Sequence, residues 1–188
     1  MTQTVHQLKV TLGMVKPPVW RRIVVPSELR LSELAAILEA AMGWYGGHLH
    51  AFEADGTRYG RPDPDWGNDD LDENRFSLGE VLPEVGSKMR WDYDFGDGWE
   101  HDVLVEEIGP REAGVTYPIC LAGRRACPPE DCGGPWGYEN LLQALADPNH
   151  PDHEDMREWM ALDFDPAHFD MEETSAAMRS PRPLEGWF

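Results

Sequence analysis

Two runs of alternating side chains, Lys88 to Phe95 and Trp99 to Ile108, are separated only by Gly96-Asp97-Gly98. A period of two places successive side chains on opposite faces of a strand. A link this short, with two glycines, makes the runs pair antiparallel as a hairpin. Alternation sets Trp91, Tyr93 and Phe95 against Asp92 and Asp94; after the turn, Trp99, His101 and Val103 oppose Glu100 and Asp102. A sheet grown from this hairpin has one apolar face that must be covered and one that tolerates water.

The rest of the chain supplies both the sheet and its cover. His6 to Leu12 alternates, and Val19 to Val25 reads as a second strand stopped by Pro26. Leu34, Ile37, Leu38 and Ala41 repeat as one helical stripe, with Ser32 as the expected cap and Gly43 as the stop. A strand is expected through His48 to Phe52, an exposed acidic loop over 61–75, a short helix from Ser77 to Leu82, and a short strand from Tyr117 to Leu121. Helical patterns then fill Gly137 to Ala146, Asp152 to Leu162 and Met171 to Met178. Strands first and helices last predict an α+β fold: a mainly antiparallel sheet, helices on one face, and a helical C-terminal third. The expected organisation is one domain over 1–180, followed by a tail at 181–188.

Charge narrows the function. Sixteen Lys and Arg stand against 35 Asp and Glu, a net charge of −19. Such a surface repels phosphate backbones and anionic lipid, so neither nucleic acid nor a membrane is an expected partner. The N-terminus carries no secretory pattern, and no apolar run is long enough to cross a bilayer. Three clustered cysteines, Cys120, Cys127 and Cys132, fit reduced thiols in a cytoplasm better than a disulfide framework.

Five local words occur in a fixed order: Pro17-Pro18-Val19-Trp20-Arg21-Arg22; Met42-Gly43-Trp44 leading to His48-Leu49-His50-Ala51-Phe52; Tyr93 to His101; Cys127 to Gly134 with Gly137-Tyr138; and Phe164-Asp165-Pro166 with Phe169-Asp170. Together they resemble the plasmid pRiA4b ORF-three-like family, whose members are also labelled TnpR-family passenger proteins of insertion elements. The resemblance covers roughly residues 5 to 175. It implies an α+β domain without an established activity, associated with plasmids or mobile elements. A DNA resolvase is not expected: serine recombination needs an activated Ser, phosphate-clamping arginines and a basic DNA-binding segment, whereas this C-terminal third is acidic.

Several groups of residues have the composition of a site. Cys120, Cys127 and Cys132 offer three soft ligands for zinc, with His101 or His153 as the fourth. His48 and His50 share a strand face and can chelate one metal. Asp94, Asp97 and His101 on the hairpin are the candidate catalytic residues, with His101 tunable near neutrality beside carboxylates. His48, His50, Trp99, Arg22, Glu130 and Asp131 are the candidate ligand-binding residues; of Arg21 and Arg22, one at most faces any given site. Gly133 and Gly134 read as a structural loop packing Trp136 and Tyr138. Zinc is the candidate cofactor. The leading reading is a cytoplasmic binding or accessory domain for a protein or small ligand. The alternative is a metal-dependent, hydrolase-like enzyme using His48, His50, Asp94, Asp97 and His101.

Overall fold

The computed structural model describes residues 3–63, 68–160 and 164–181. In chain order the strands are β1 (Thr4–Leu12), β2 (Trp20–Pro26), β3 (His50–Ala54), β4 (Thr57–Gly60), β5 (Leu71–Asp72), β6 (Lys88–Tyr93), β7 (Trp99–Pro110) and β8 (Ile119–Arg124). The helices are α1 (Leu31–Met42), α2 (Leu78–Val81), α3 (Gly134–Ala146), α4 (His153–Trp159) and α5 (Met171–Arg179), with a 3₁₀ turn at Glu73–Arg75.

All eight strands form one sheet in the order β5-β4-β3-β6-β7-β1-β2-β8. Every pairing is antiparallel except the parallel contact of β4 with β5. The β6–β7 hairpin lies in the middle, and its register fixes the rows of the inner face. Tyr93 stands between His50 and Trp99, while Trp91 stands between Phe52 and His101. His101 continues to Leu12, and Val103 to Val10 and Arg21. The alternation read after the turn is therefore the observed one: Trp99, His101 and Val103 are buried, while Glu100 and Asp102 are exposed.

Helices cover this face. Leu34, Ile37, Leu38 and Ala41 of α1 join the sheet residues in one core, and α5 lies against both α1 and β8. Each fully buried Leu, Ile or Val contributes roughly 1.5–3 kcal/mol relative to exposure. The opposite face carries ion pairs instead, Arg22 with Glu106 and Arg90 with Glu53 and Asp92. The α+β architecture, its antiparallel sheet and its helical C-terminal region agree with expectation.

Local details differ for physical reasons. The cap of α1 is Arg30, whose N–H donates to Glu33 Oε2 at 2.8 Å, so Ser32 lies inside the helix. Gly43 does end it, at φ 96°, a left-handed conformation that glycine adopts without a Cβ penalty. Pro26 is the last residue of β2 rather than a stop before it. The strand expected over 48–52 is shifted to His50–Ala54 and turns at Asp55-Gly56 into the unforeseen β4. Within 61–75, residues 64–67 lie outside the described part. The remainder is not simply exposed, because Leu71–Asp72 extends the sheet and Glu73 is buried. Helix α4 covers His153–Trp159, and residues 161–163 of the longer expected helix lie outside the described part. No described helix is long and apolar enough to cross a membrane.

Candidate functional site

The hairpin departs from strict alternation where its chemistry concentrates. Asp94 adopts φ 54°, which turns its side chain inward and leaves Phe95 49% exposed. Asp94 Oδ1 accepts the backbone N–H of Gly96 at 3.0 Å and of Asp97 at 3.3 Å, building the turn. Its other oxygen, Oδ2, lies 3.3 Å from His48 Nδ1. One carboxylate therefore serves the fold with one atom and faces the cluster with the other.

Four further segments converge on this end of the sheet. His50, opening β3, has Nε2 2.9 Å from Glu73 Oε2 in the 3₁₀ turn and Nδ1 3.8 Å from Glu39 Oε1 in α1. Glu130, on the loop between β8 and α3, accepts from the Tyr93 hydroxyl at 2.8 Å and from the Tyr45 N–H at 3.0 Å. Its neighbour Asp131 lies 3.8 Å from His48 Nε2. Trp44 holds this loop against the sheet, since its indole N–H donates to Pro128 O at 2.9 Å while its ring stacks on Tyr93 at 4.6 Å. The cluster opens outward: side-chain exposure rises from 5% at Glu39 through 28% at His48 to 77% at Asp131.

Burial sets the electrostatics. Glu39 is pushed up to about 7, first by burial and then by Glu130 and Glu73, with His50 pulling the other way. Its Oε1 has no hydrogen-bond partner. The Tyr93 hydroxyl is raised by burial and by its bond to Glu130, so it remains a donor throughout the neutral range. Among the described residues, one group of three or more metal-type ligand atoms lies in mutual reach: His48, Asp94 and Asp131, all within 4.8 Å of one another.

Other candidates are placed elsewhere. His101 sits under Trp91 and Trp44, at 4.5 and 5.3 Å between ring centroids. Its Nδ1 bonds the Trp91 carbonyl at 3.1 Å. Burial drives it down to about 3, so it is a neutral core imidazole and not a base tunable near neutrality. Trp99 is equally buried, part of the aromatic floor below Trp44. Asp97 contributes through Oδ2, which accepts the Gly133 N–H at 3.2 Å and ties the hairpin to the start of α3. Arg22 lies on the open face of the sheet with Glu106, away from the cluster. Arg21 faces inward, donating from Nε to Ala41 O at 2.9 Å beneath the ring of Phe169.

The three thiols are free and do not gather a metal-type donor set among the described residues. Cys120 donates to Ala122 O, Cys127 is buried, and Cys132 is pushed up to about 12 by burial and by Asp97. His153 bonds Ala144 O through Nδ1 at 2.7 Å, and neither it nor His101 gathers with the thiols as a donor set among the described residues. Gly133 and Gly134 do form a tight loop, but Tyr138 is buried while Trp136 is 75% exposed. A groove of about 460 Å³ beside α3 and α4 is lined mainly by apolar side chains such as Leu142, Leu145, Met160 and Phe164. It carries no comparable group of acids and imidazoles.

Sequence reasoning missed Glu39 and Glu73. Glu39 falls four residues after Ala35 and three before Met42, hence on the buried stripe of α1, and an acid there is a readable signal. Glu73 stands in an acidic stretch with nothing to single it out.

Comparison with known proteins places the chain in a family. A family model described as plasmid pRiA4b ORF-3-like protein matches residues 4–173. An uncharacterised protein, y4hQ of Sinorhizobium fredii (strain NBRC 101917 / NGR234), is 45% identical over 169 residues, covering 89% of this chain and 87% of that protein. The crystal structure of MM3350, a protein of unknown function from Methanosarcina mazei Go1, superposes with a TM-score of 0.85 at 37% identity. That match covers 93% of this chain and 99% of the other. The chain belongs to the plasmid pRiA4b ORF-3-like family.

Proposed function

We propose that this chain is a ligand-binding accessory domain, and that the cluster around His48, His50 and Tyr93 is where its ligand is held. The observation that carries this reading is the convergence of four carboxylates from separate segments of the chain, Glu39, Glu73, Asp94 and Asp131, on the imidazoles of His48 and His50, with a fifth, Glu130, beside them on Tyr93. Gathering acids costs folding free energy, through desolvation at Glu39 and through mutual repulsion. Turn and loop hydrogen bonds to Asp94 and Glu130 offset part of that cost, and a positively charged or hydrogen-bond-donating ligand is favoured by what remains. The net charge of −19 adds a field that draws cations and disfavours nucleic acid as the partner. The family's plasmid description is consistent with an accessory role for mobile elements.

Melting curves test this with zinc, manganese, spermidine and arginine as separate probes. Binding to the folded state raises the melting temperature by mass action. A rise of several degrees with at least one probe, lost in Glu130→Gln and Asp131→Asn, supports the reading. No rise with any probe, or the same rise in both variants, counts against it.

A metal-dependent hydrolase is the second reading, favoured by one observation: the buried Glu39 Oε1 lies 3.8 Å from His50 Nδ1 without a hydrogen-bond partner, and burial pushes this carboxyl up to about 7. In that case Glu39, and not His101, is the candidate acid–base group. Turnover of ester or phosphoester substrates by the metal-loaded protein, abolished in Glu39→Gln, separates an enzyme from a binding domain.

A further inference from the structure

We propose that His48, Asp94 and Asp131 hold a single first-row divalent metal ion, joining the hairpin turn, the segment between α1 and β3 and the loop before α3. The proposal rests on the reading that the strand-end cluster is the binding site, and it names the ligand class. One imidazole and two carboxylates suit zinc and its neighbours in the series, whereas magnesium prefers an all-oxygen shell.

Distances support the assignment. Tetrahedral zinc with bonds of about 2.0–2.1 Å holds its ligand atoms about 3.3 Å apart. His48 Nδ1 and Asp94 Oδ2 are 3.3 Å apart in the structure. Asp94 is oriented for this role because Oδ1 is engaged with the turn N–H groups and Oδ2 is left facing His48. Asp131 is the adjustable ligand: its 77% exposed carboxylate lies 3.8 Å from Nε2, the ring nitrogen away from Asp94, so it must swing toward the Nδ1 side to share an ion, and one donor atom from each of the three residues already lies within 4.8 Å of the others. Three protein ligands leave a coordination position for water or a substrate atom.

A separate observation points the same way. Glu39 is buried, yet its Oε1 has no hydrogen-bond partner and faces the cluster from α1, 3.8 Å from His50 Nδ1. An unpartnered carboxylate oxygen is costly to bury. Glu39 Oε1 lies beside His50 and not beside the three ligands, so its part is to add buried negative charge that a bound cation offsets. The ion would also clamp Asp131, and with it the loop carrying Pro128 and Glu130, onto the sheet.

Isothermal titration of the full chain with zinc chloride tests the proposal. One equivalent should bind, at least tenfold more weakly in His48→Ala and in Asp131→Asn, and unchanged within twofold in Cys127→Ser and Cys132→Ser. Asp131→Asn alters an exposed side chain and keeps the fold testable, whereas Asp94→Asn also disturbs the turn. No binding to the wild-type chain, binding indifferent to His48 and Asp131, or binding lost only in the cysteine variants overturns the proposal. A rise in melting temperature with spermidine or arginine, alongside no zinc binding, overturns the metal alone and leaves the ligand-binding reading in place.

Discussion

The Tyr93 hydroxyl donates to Glu130 Oε1 at 2.8 Å, so a ring that belongs to the centre of the sheet is bonded to the loop that follows β8. This contact determines where Asp131 lies and couples the loop to the hairpin. Removing the hydroxyl in Tyr93→Phe should cost about 1 kcal/mol, the usual net contribution of such a bond. Amide exchange should accelerate over residues 130–133 with little change in β6. Unchanged exchange in the loop would show that Trp44, the Tyr45 N–H and Asp97 secure it without the hydroxyl.

Glu39 makes stability depend on pH in a defined direction. Its folded value of about 7 lies above the ordinary 4.5, so between those values the folded chain keeps a proton that the unfolded chain has lost. The resulting stability is full below pH 4.5 and is lost as pH rises through 7. Glu39→Gln cannot ionise, so relative to wild type it should gain on the order of 3 kcal/mol between those limits. Urea denaturation of both proteins at several pH values measures the difference, and parallel curves would contradict the assignment.

His101 acts in the opposite sense. Burial holds it at about 3, below the ordinary 6.5, so the unfolded chain binds the extra proton between those values. Stability from this group is full above pH 6.5 and is lost as pH falls toward 3. Its contribution to the slope should approach roughly 1.4 kcal/mol per pH unit. His101→Phe should flatten the acid limb of the stability curve; a limb as steep as wild type would mean that this imidazole is already charged in the fold.

Gly134 adopts φ 68°, and a Cβ there would run into the backbone carbonyl of Asp97. The hairpin turn and the start of α3 meet so closely only because this position lacks a side chain. Gly134→Ala should cost about 1–3 kcal/mol through that clash and the left-handed backbone. Asp131 should move away from His48 as the loop shifts, weakening any ligand bound there. Calorimetric melting together with the zinc titration reads both effects.

What the chain disclosed depended on whether the signal was local. The hairpin was legible because Trp91, Tyr93, Trp99 and His101 obey a period of two, and α1 because its apolar residues repeat with helical spacing. Asp94 and Phe95 were assigned to the wrong faces because one left-handed residue at the turn inverts the alternation, and no propensity reveals that φ. His48, Asp94 and Asp131 were each noticed, but their meeting is set by sheet register and by the loop that Trp44 and Tyr93 anchor. The cysteines suggest a site from spacing alone; Cys127 and Cys132 do lie near each other, but no third donor gathers with them among the described residues. His101 was misjudged because strand alternation revealed its inward direction but not the depth of aromatic cover above it.

Amide chemical-shift mapping most directly tests the claim that ligands enter at the strand-end cluster. With ¹⁵N-labelled wild-type chain and zinc, spermidine or arginine added in turn, the account predicts shifts at residues 45–50, 94–98 and 130–133 with at least one probe. The open face around Arg22 and Glu106, and the groove beside α3 and α4, should stay unchanged. Shifts confined to either of those surfaces, or none with any probe, would contradict it.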